Sequence, residues 1–151
     1  MHNASVTSYK RPESVLVVIF DENRNVLVLQ RQDNHNIWQS VTGSLEEDEL
    51  PIQTAYREVL EEIGFDAQAN SAIILDTRIV NQYAIRPEWR YKYPPNNFIN
   101  TEYVFLLEIP SETPIVLTEH VSYKWLTAIV AEQLIWSESN KRAVTQFLVQ
   151  S

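Results

Sequence analysis

Three glutamates, Glu58, Glu61 and Glu62, stand close together in the segment "YREVLEEIGF" at residues 56–65. On an α-helix, positions i, i+3 and i+4 share one face, so these three carboxylates would point the same way. Like charges at this spacing destabilise a helix, and no lysine occurs between residues 43 and 65 to offset them. A hard divalent cation such as Mg²⁺, which takes oxygen ligands, would neutralise the cluster. A solvated, glutamate-rich helix face is the alternative interpretation.

The residues around these glutamates have the pattern of an amphipathic helix. Pro51 suits a first helical turn, where its missing N–H costs nothing. Gly64 suits a helix C-cap, because glycine adopts a left-handed conformation without strain. Apolar side chains recur between them at helical spacing, on a stripe that faces away from the carboxylates: Ile52, Ala55, Tyr56, Val59 and Ile63. The pattern predicts a helix from Pro51 that ends at Gly64.

The rest of the chain predicts the elements that must position this helix. Short β-branched or aromatic runs bounded by turn residues predict strands at 14–20, 26–31, 37–43, 72–80, 101–109 and 115–117. Two further helices are expected at 127–135 and 139–149. Strands interleaved with a central and a C-terminal helix predict an α/β fold, in which a central mixed sheet is sandwiched between helices.

Length, charge and cysteine content limit the classes of function. A chain of 151 residues without internal repeats is expected to form a single domain, residues 1–151. Its net charge of −8 argues against broad nucleic-acid binding. The absence of cysteine excludes disulfides, thiolate metal sites and a cysteine nucleophile. The longest strongly apolar run is far too short to span a membrane, so we expect a cytoplasmic protein without a membrane partner. The oligomeric state stays open, with a monomer as one option.

The stretch 43–65, "GSLEEDELPIQTAYREVLEEIGF", resembles the signature of a known family. Its fixed positions follow the order of the Nudix box across 23 residues: Gly43, Glu49, Arg57, Glu58, Glu61, Glu62 and Gly64. The resemblance implies a Nudix-type α/β/α sandwich. It also implies a hydrolase that cleaves nucleoside diphosphates linked to another group.

The same resemblance implies roles for these residues. Glu58, Glu61 and Glu62 would bind Mg²⁺, with Mn²⁺ as an alternative ion, or activate water. Arg57 and Glu49 would orient the helix. Gly43 would let the backbone turn tightly and offer its carbonyl group to the metal.

Nudix sites commonly recruit one more acid from outside the box. Glu119, in the segment "LTEHVSYKWL", is the candidate for this additional metal ligand. His120 beside it is either a proton carrier or a packed or exposed loop histidine.

Similarity to one group of the family extends beyond the box. The segments "YKRPESVLVVIF", "VLVLQR", "WQSVTGSLEE" and "LTEHVSYKWL" resemble the Nudix hydrolases that convert dihydroneopterin triphosphate to the monophosphate and pyrophosphate in bacterial folate synthesis. The run "SVTGS" replaces the proline-glycine-glycine run of many Nudix proteins, a departure that this group shares. Two alternatives stay open: a broader nucleoside triphosphate pyrophosphohydrolase, such as a dATP hydrolase, and a non-catalytic nucleotide-binding Nudix module.

Several residues outside the box suit a triphosphate ligand. Lys10 and Arg31 can offer charge to phosphate, and Thr42 can form a hydrogen bond near the metal. Ser137, with Asn140, opens the last predicted helix, where free amide groups favour anions.

The segment 81–99 concentrates aromatic and basic residues around Tyr83. It is either a lid, whose aromatic rings stack on a heterocycle while its cations gather phosphate, or a loop whose rings pack on the sheet. Tyr83 is therefore a candidate for substrate binding.

Overall fold

Seven strands form one sheet in the computed structural model, which describes residues 9–149. The strands are β1 Glu13–Phe20, β2 Val26–Arg31, β3 Trp38–Gln39, β4 Val41–Ser44, β5 Leu75–Ala84, β6 Ile99–Glu108 and β7 His120–Leu126. The helices are α1 Pro51–Ile63, α2 Ala128–Leu134 and α3 Glu138–Leu148, with a 3-10 helix at Pro87–Lys92. Residues 1–8 and 150–151 of the expected domain lie outside the described part of the chain.

The sheet is mixed, and it splits at one point. β1 runs parallel to β6 over its whole length and antiparallel to its other neighbours. β1 pairs with β2 only at Phe20 and Val26. Beyond that point β1 pairs with β4, while β2 pairs with β3 and, on its other edge, with β7. The two halves of the sheet therefore diverge beyond this point, with β3 and β4 between them.

Alternation along β1 produces two cores, one on each face of the sheet. Val15, Val17 and Ile19 pack with the apolar stripe of α1. Leu16 and Val18 pack on the opposite face with residues of α2 and α3. Since side chains on a strand alternate between faces, a continuous apolar run buries both of its faces. The predicted α/β/α sandwich with a central mixed sheet is confirmed.

α1 begins and ends as its local sequence predicts. Pro51 is its first residue, and the N–H of Leu50 is satisfied by the side-chain oxygen of Gln53 at 2.8 Å. Gly64 takes a left-handed φ of 73°, and its N–H donates to the carbonyl oxygen of Leu60. Among the buried residues of α1, alongside Ala55 and Val59, is one carboxylate, Glu62.

The prediction of a strand at 115–117 is wrong. Ile115 and Leu117 pack against the α1 core, while the N–H of Val116 donates to the carbonyl oxygen of Ile63 at the end of α1. The backbone is thus tied to a helix end rather than to a neighbouring strand. The strand in this region is β7, which begins at His120 and pairs with β2.

Other boundaries shift for local reasons. The strand expected at 72–80 runs from Leu75 to Ala84, because Ala72 closes a turn onto Ala67. The strand expected at 37–43 is interrupted at Ser40, whose N–H and hydroxyl bond the side chain of Asn140. In the described part of the chain, every helix is too short or too polar to cross a membrane.

Candidate active site

Arg57 ties α1 to the two segments that precede it. Its Nε lies 2.6 Å from Glu49 Oε2 and its Nη2 lies 2.9 Å from Glu49 Oε1. Nη2 also donates to the carbonyl oxygen of Ser44, the last residue of β4, at 3.0 Å. Hydrogen bonds from Arg57 lower the pKa of Glu49 to about 2, so this carboxylate stays ionised. The guanidinium therefore fixes α1 against β4 and the loop between them.

Glu58, which is half-buried, and Glu62, which is buried, form a carboxyl pair on the next turn of α1. Glu62 is 5% exposed, and its Oε1 has no hydrogen-bond partner. Burial raises the pKa of both groups, that of Glu62 well above its usual range, where the adjacent Glu58 carboxyl adds to the effect. Arg57 Nη1 lies 3.0 Å from Glu58 Oε2 and partly offsets the charge. The pair is thus short of positive charge.

Gly43 lies in β4 directly against Glu58. A Cβ atom placed on Gly43 would lie 2.1 Å from the carboxyl carbon of Glu58, so a side chain there would displace the Glu58 carboxyl group. Among the described glycines, only Gly64 has a positive φ. The expectation that Gly43 makes a tight turn is therefore wrong: the residue leaves room for Glu58.

Glu61 faces away from this pair. Its carboxylate is 56% exposed and lies 3.2 Å from Arg57 Nη1. Within residues 9–149, no three acidic or histidine side chains are gathered closely enough to hold an ion as they stand. The structure brings Glu58 and Glu62 together and holds Glu61 apart on Arg57.

β7 brings Glu119 and His120 to the buried pair from a distant part of the sequence. His120 Nδ1 lies 4.0 Å from Glu62 Oε1, and neither atom has a hydrogen-bond partner. Burial, reinforced by the charge of Arg31, lowers the pKa of His120, which favours the neutral ring. Glu119 is exposed, and its charge contributes to the raised pKa of Glu62. His120, which its sequence did not distinguish from an ordinary loop histidine, therefore belongs to the site.

These groups face a cleft of ≈ 1510 Å³. Eleven of the residues named from sequence line it: Lys10, Arg31, Thr42, Gly43, Glu58, Glu62, Tyr83, Glu119, His120, Ser137 and Asn140. Glu49, Arg57 and Glu61 are outside its lining. Residues from elements between β1 and α3 therefore lie around one cleft, which is located where the sheet splits.

Cations gather along this cleft although the protein is acidic overall. Burial, together with the charges of Lys92 and Arg31, lowers the pKa of Lys10. Arg31 makes a two-point ion pair with Asp33, at 2.7 Å from Nε and 2.6 Å from Nη2. The mutual effect of these cations indicates a locally positive wall that suits an anionic ligand.

Thr42 and Ser137 contact the site mainly through the backbone they stabilise. The Thr42 hydroxyl donates to the carbonyl oxygen of Val15 at 2.9 Å, while its nearby backbone slightly offsets the raised pKa of Glu62. Ser137 caps α3 by accepting from the N–H of Asn140. The Asn140 side chain is buried and bonded to Ser40, so it offers nothing to an anion.

Segment 81–99 runs beside the cleft and is more ordered than a loop. Tyr83 lies on β5, and its hydroxyl accepts from Asn100 Nδ2 at 3.1 Å. Burial of that hydroxyl, with the charge of Glu102, raises the pKa of Tyr83 to about 12. Trp89, on the 3-10 helix, meets Trp136 edge to face at 5.7 Å and also lines the cleft. Tyr91 in contrast is 75% exposed, so not every ring of the segment packs on the sheet, and the lid stays a prediction.

The cleft floor contains two polar residues that sequence reasoning did not single out. Asn100 and Glu102 of β6 are each 3% exposed and line the cleft. Their alternation with Ile99, Thr101 and Tyr103 is typical of a solvated strand face. Their burial results from the packing of β5 and α3 around them, which the sequence pattern does not show.

Comparison with known proteins identifies similar chains. Residues 10–147 match the NUDIX domain family. The dihydroneopterin triphosphate diphosphatase of Escherichia coli K12 is 45% identical over 142 residues, which are 93% of this chain and 95% of that protein. The enzyme of the same name from Haemophilus influenzae is 43% identical over 141 residues, 93% and 89% of the two chains.

Solved structures agree with these sequence matches. The structure of the E. coli dihydroneopterin triphosphate pyrophosphohydrolase superposes with a TM-score of 0.90 at 44% identity, covering 95% of this chain and 99% of that one. A NUDIX hydrolase structure from Listeria monocytogenes gives a TM-score of 0.76 at 26% identity, with 91% and 92% coverage. The similarity thus extends over the sandwich and the cleft together.

Proposed function

The chain belongs to the Nudix domain family, and we propose that it hydrolyses dihydroneopterin triphosphate to the monophosphate and pyrophosphate in folate biosynthesis. Nudix hydrolases act on small-molecule nucleotide or pterin substrates and generally use divalent metal ions. Two relatives named for this activity share 45% and 43% identity with nearly the whole chain. The observation that supports the proposal within the molecule is the pair of half-buried Glu58 and buried Glu62, which opens onto a cleft that Lys10 and Arg31 also line.

The residues at this pair fit a hard divalent cation. Glu62 Oε1 is buried without a partner and belongs to a carboxyl pair short of positive charge. Such a group is costly unless a cation or hydrogen bonds compensate it. We propose Mg²⁺ as the ion, with Mn²⁺ as an alternative, because carboxylate oxygens are the ligands that Mg²⁺ prefers.

The residues that would hold the ion are the carboxylates of the box, Glu119 and the backbone carbonyl of Gly43. Glu58 and Glu62 are already adjacent, while Glu61 would first have to leave its ion pair with Arg57. When bound, the metal would neutralise phosphate charge and make a bound water more acidic.

The chain's own residues have separate tasks in this mechanism. Lys10 and Arg31 would bind the triphosphate, since both cations line the cleft. Thr42 fixes β4 against β1 through its hydroxyl bond to Val15, and the Arg57–Glu49 ion pair holds α1. One carboxylate of the Glu58–Glu62 pair would take the proton of the attacking water. Ser137 and Tyr83 border the cleft and would contact the substrate.

The same proposal covers the organisation of the whole chain. It treats residues 1–151 as a single Nudix hydrolase domain, for which the family match over residues 10–147 is the support. It places the protein in the cytoplasm, for which the absence of cysteine is the support.

Product analysis tests the proposed reaction. The purified protein, supplied with Mg²⁺ and dihydroneopterin triphosphate, should release the monophosphate and pyrophosphate in equal amounts, and chelation of the metal should stop the release. Glu108→Gln, a change on an exposed position of β6, is the matched control and should leave the rate unchanged. Orthophosphate with the pterin diphosphate as products, or no turnover of this substrate, would overturn the proposal.

A further inference from the structure

The floor of the cleft changes from apolar to polar along β6. Val104 packs in the core against α2 and α3, together with Leu16 of β1. Two and four residues earlier on the same face of the strand lie Glu102 and Asn100, each 3% exposed. Both line the cleft, on a strand separate from the helix that carries Glu58 and Glu62. The mechanism proposed above uses neither.

Asn100 is held in place but is not fully paired. Its Nδ2 donates to Ser14 Oγ at 2.8 Å and to the Tyr83 hydroxyl at 3.1 Å. These two bonds use both donor hydrogens and fix the orientation of the amide. Its Oδ1, in contrast, is buried without a hydrogen-bond partner. An unpaired buried acceptor is destabilising, so a hydrogen bond from a ligand to this free oxygen would be favourable.

Glu102 is a buried acid without an ion-pair partner in the described part of the chain. Asn81 Nδ2 donates to its Oε1 at a long 3.3 Å, and the nearby hydroxyls of Ser139 and Tyr83 partly offset the effect of burial on the pKa of this carboxyl. Burial raises its pKa, and the charge of Arg142 offsets this only weakly. A carboxyl group in such a place has a large desolvation cost that neutral partners compensate incompletely.

We propose that Glu102 and Asn100 form a subsite that binds the hydrogen-bond donor edge of a 2-amino-4-oxopyrimidine ring, the edge that pterins share with guanine. The ring N–H and the adjacent exocyclic amino group of this edge lie side by side, so a carboxylate can accept from both. Asn100 Oδ1, two residues away on the same face, supplies a further acceptor. Adenine presents an unprotonated ring nitrogen at the corresponding position, which a carboxylate would repel.

The surroundings of the subsite suit a flat heterocycle. Trp89 and Trp136 meet edge to face and line the same cleft, and the guanidinium group of Arg86 lies over both rings. A flat heterocycle would stack on these rings in place of that cation. Lys10 and Arg31 line the same cleft within reach of the charges of Glu58, Glu62 and Glu119, where the triphosphate would lie, and Arg31 also lies 5.2 Å from the centre of the Trp89 ring. The inference rests on the proposed function, because it assigns the other end of the same substrate.

The test pairs a change in the ligand with a change in the protein. GTP and ITP differ only by the exocyclic amino group that Glu102 is proposed to bind. For the wild type, kcat/KM for GTP should exceed that for ITP by roughly tenfold or more, because ITP keeps the ring N–H but leaves the second oxygen of the buried carboxylate without its donor. In Glu102→Gln the ratio should approach one, while kcat/KM for ATP should stay the same or rise. Glu108→Gln, on the exposed end of the same strand, should keep the wild-type ratio.

A purely structural role for Glu102 makes different predictions. If the carboxyl only anchors Ser139 in the first turn of α3, Glu102→Gln should lower the melting temperature and reduce turnover of GTP, ITP and ATP alike. An unchanged GTP-to-ITP ratio in this variant overturns the inference.

A wild-type enzyme that prefers nucleotides to the pterin triphosphate would overturn the proposed substrate, yet the ratio would still test Glu102. If no triphosphate is hydrolysed, calorimetric binding of GMP and IMP gives the same comparison without turnover, and equal affinities in wild type and variant reject the subsite.

Discussion

At the scale of single residues, the site contains titratable groups whose surroundings disfavour their charged forms. Glu62 is 5% exposed, lies beside Glu58 and has one oxygen without a partner. His120 faces that oxygen at 4.0 Å with a lowered pKa, so the neutral ring is favoured and supplies little compensating charge. Such an arrangement lowers the stability of the metal-free fold and is typical of a functional site.

Replacement of Glu62 by glutamine should separate activity from stability. Glu62→Gln keeps the shape of the side chain but removes its charge, so turnover with Mg²⁺ should fall about a hundredfold or more. Without metal, the melting temperature should stay the same or rise, because a like-charge pair on α1 is relieved. Steady-state rates and thermal unfolding without metal check both parts. Near-wild-type turnover at saturating Mg²⁺ would remove Glu62 from the mechanism.

The two glycines should respond to alanine in opposite ways. Gly43→Ala places a methyl group 2.1 Å from the Glu58 carboxyl carbon, so activity should fall more than stability. Gly64→Ala forces a left-handed φ of 73° on a residue with a side chain and brings its Cβ to 2.9 Å from Val116, so stability should fall by roughly 1 kcal/mol or more. Parallel measurement of kcat/KM and melting temperature in both variants tests this. If both variants lost kcat/KM and melting temperature in the same proportion, the assignment of Gly43 to the site would be contradicted.

The Glu49–Arg57 ion pair should make stability depend on acid pH. The pKa of Glu49 is lowered to about 2 by Arg57, whereas an unpaired glutamate titrates at about 4.3. A lowered pKa contributes stability that is present above the unfolded value and lost as the pH falls toward the folded value. The difference in melting temperature between wild type and Glu49→Gln should therefore be largest above about pH 5 and should shrink as the pH falls toward 3. A difference that is constant over this range would show that the carboxylate charge is not what stabilises the fold.

At the scale of elements, local signals decide which parts of the structure are predictable. α1 was predicted because Pro51, the apolar stripe and Gly64 all favour one helix with the same ends. The prediction of a strand at 115–117 was wrong because its β-branched residues favour a strand locally, whereas the hydrogen bond of this backbone goes to the end of α1. β7 was missed because its pairing depends on β2, about ninety residues earlier in the chain.

The start of β7 carries the element-scale test. If Glu119 completes the metal shell with Glu58 and Glu62, Glu119→Ala should require a higher Mg²⁺ concentration for half-maximal activity. Stability should change little, because Glu119 is exposed and makes no core contact. A metal titration of activity in wild type and variant, with the exposed loop residue Glu112→Ala as the matched control, measures the shift. Coincident curves for wild type and Glu119→Ala would show that another residue fills this role.

At the scale of the whole molecule, the sheet gathers residues that sequence reasoning could only consider one by one. The split between β1 and β2 places cations from β2 and from the segment before β1, carboxylates from α1 and polar groups from β6 around a single cleft. The box and its partners were identifiable because their spacing is a family signature. Asn100 and Glu102 were not, because alternating polar residues on a strand indicate solvent exposure unless other elements cover them.

Substrate preference tests the central claim most directly. Steady-state kinetics with Mg²⁺ should be measured for dihydroneopterin triphosphate, GTP and dATP with the same preparation of wild-type protein. The account predicts that kcat/KM is highest for dihydroneopterin triphosphate, by roughly tenfold or more over dATP, because the cleft combines a triphosphate site with acceptors for the pterin edge. Equal values for the three substrates, or a higher value for dATP, would contradict it and identify a broader nucleoside triphosphate pyrophosphohydrolase.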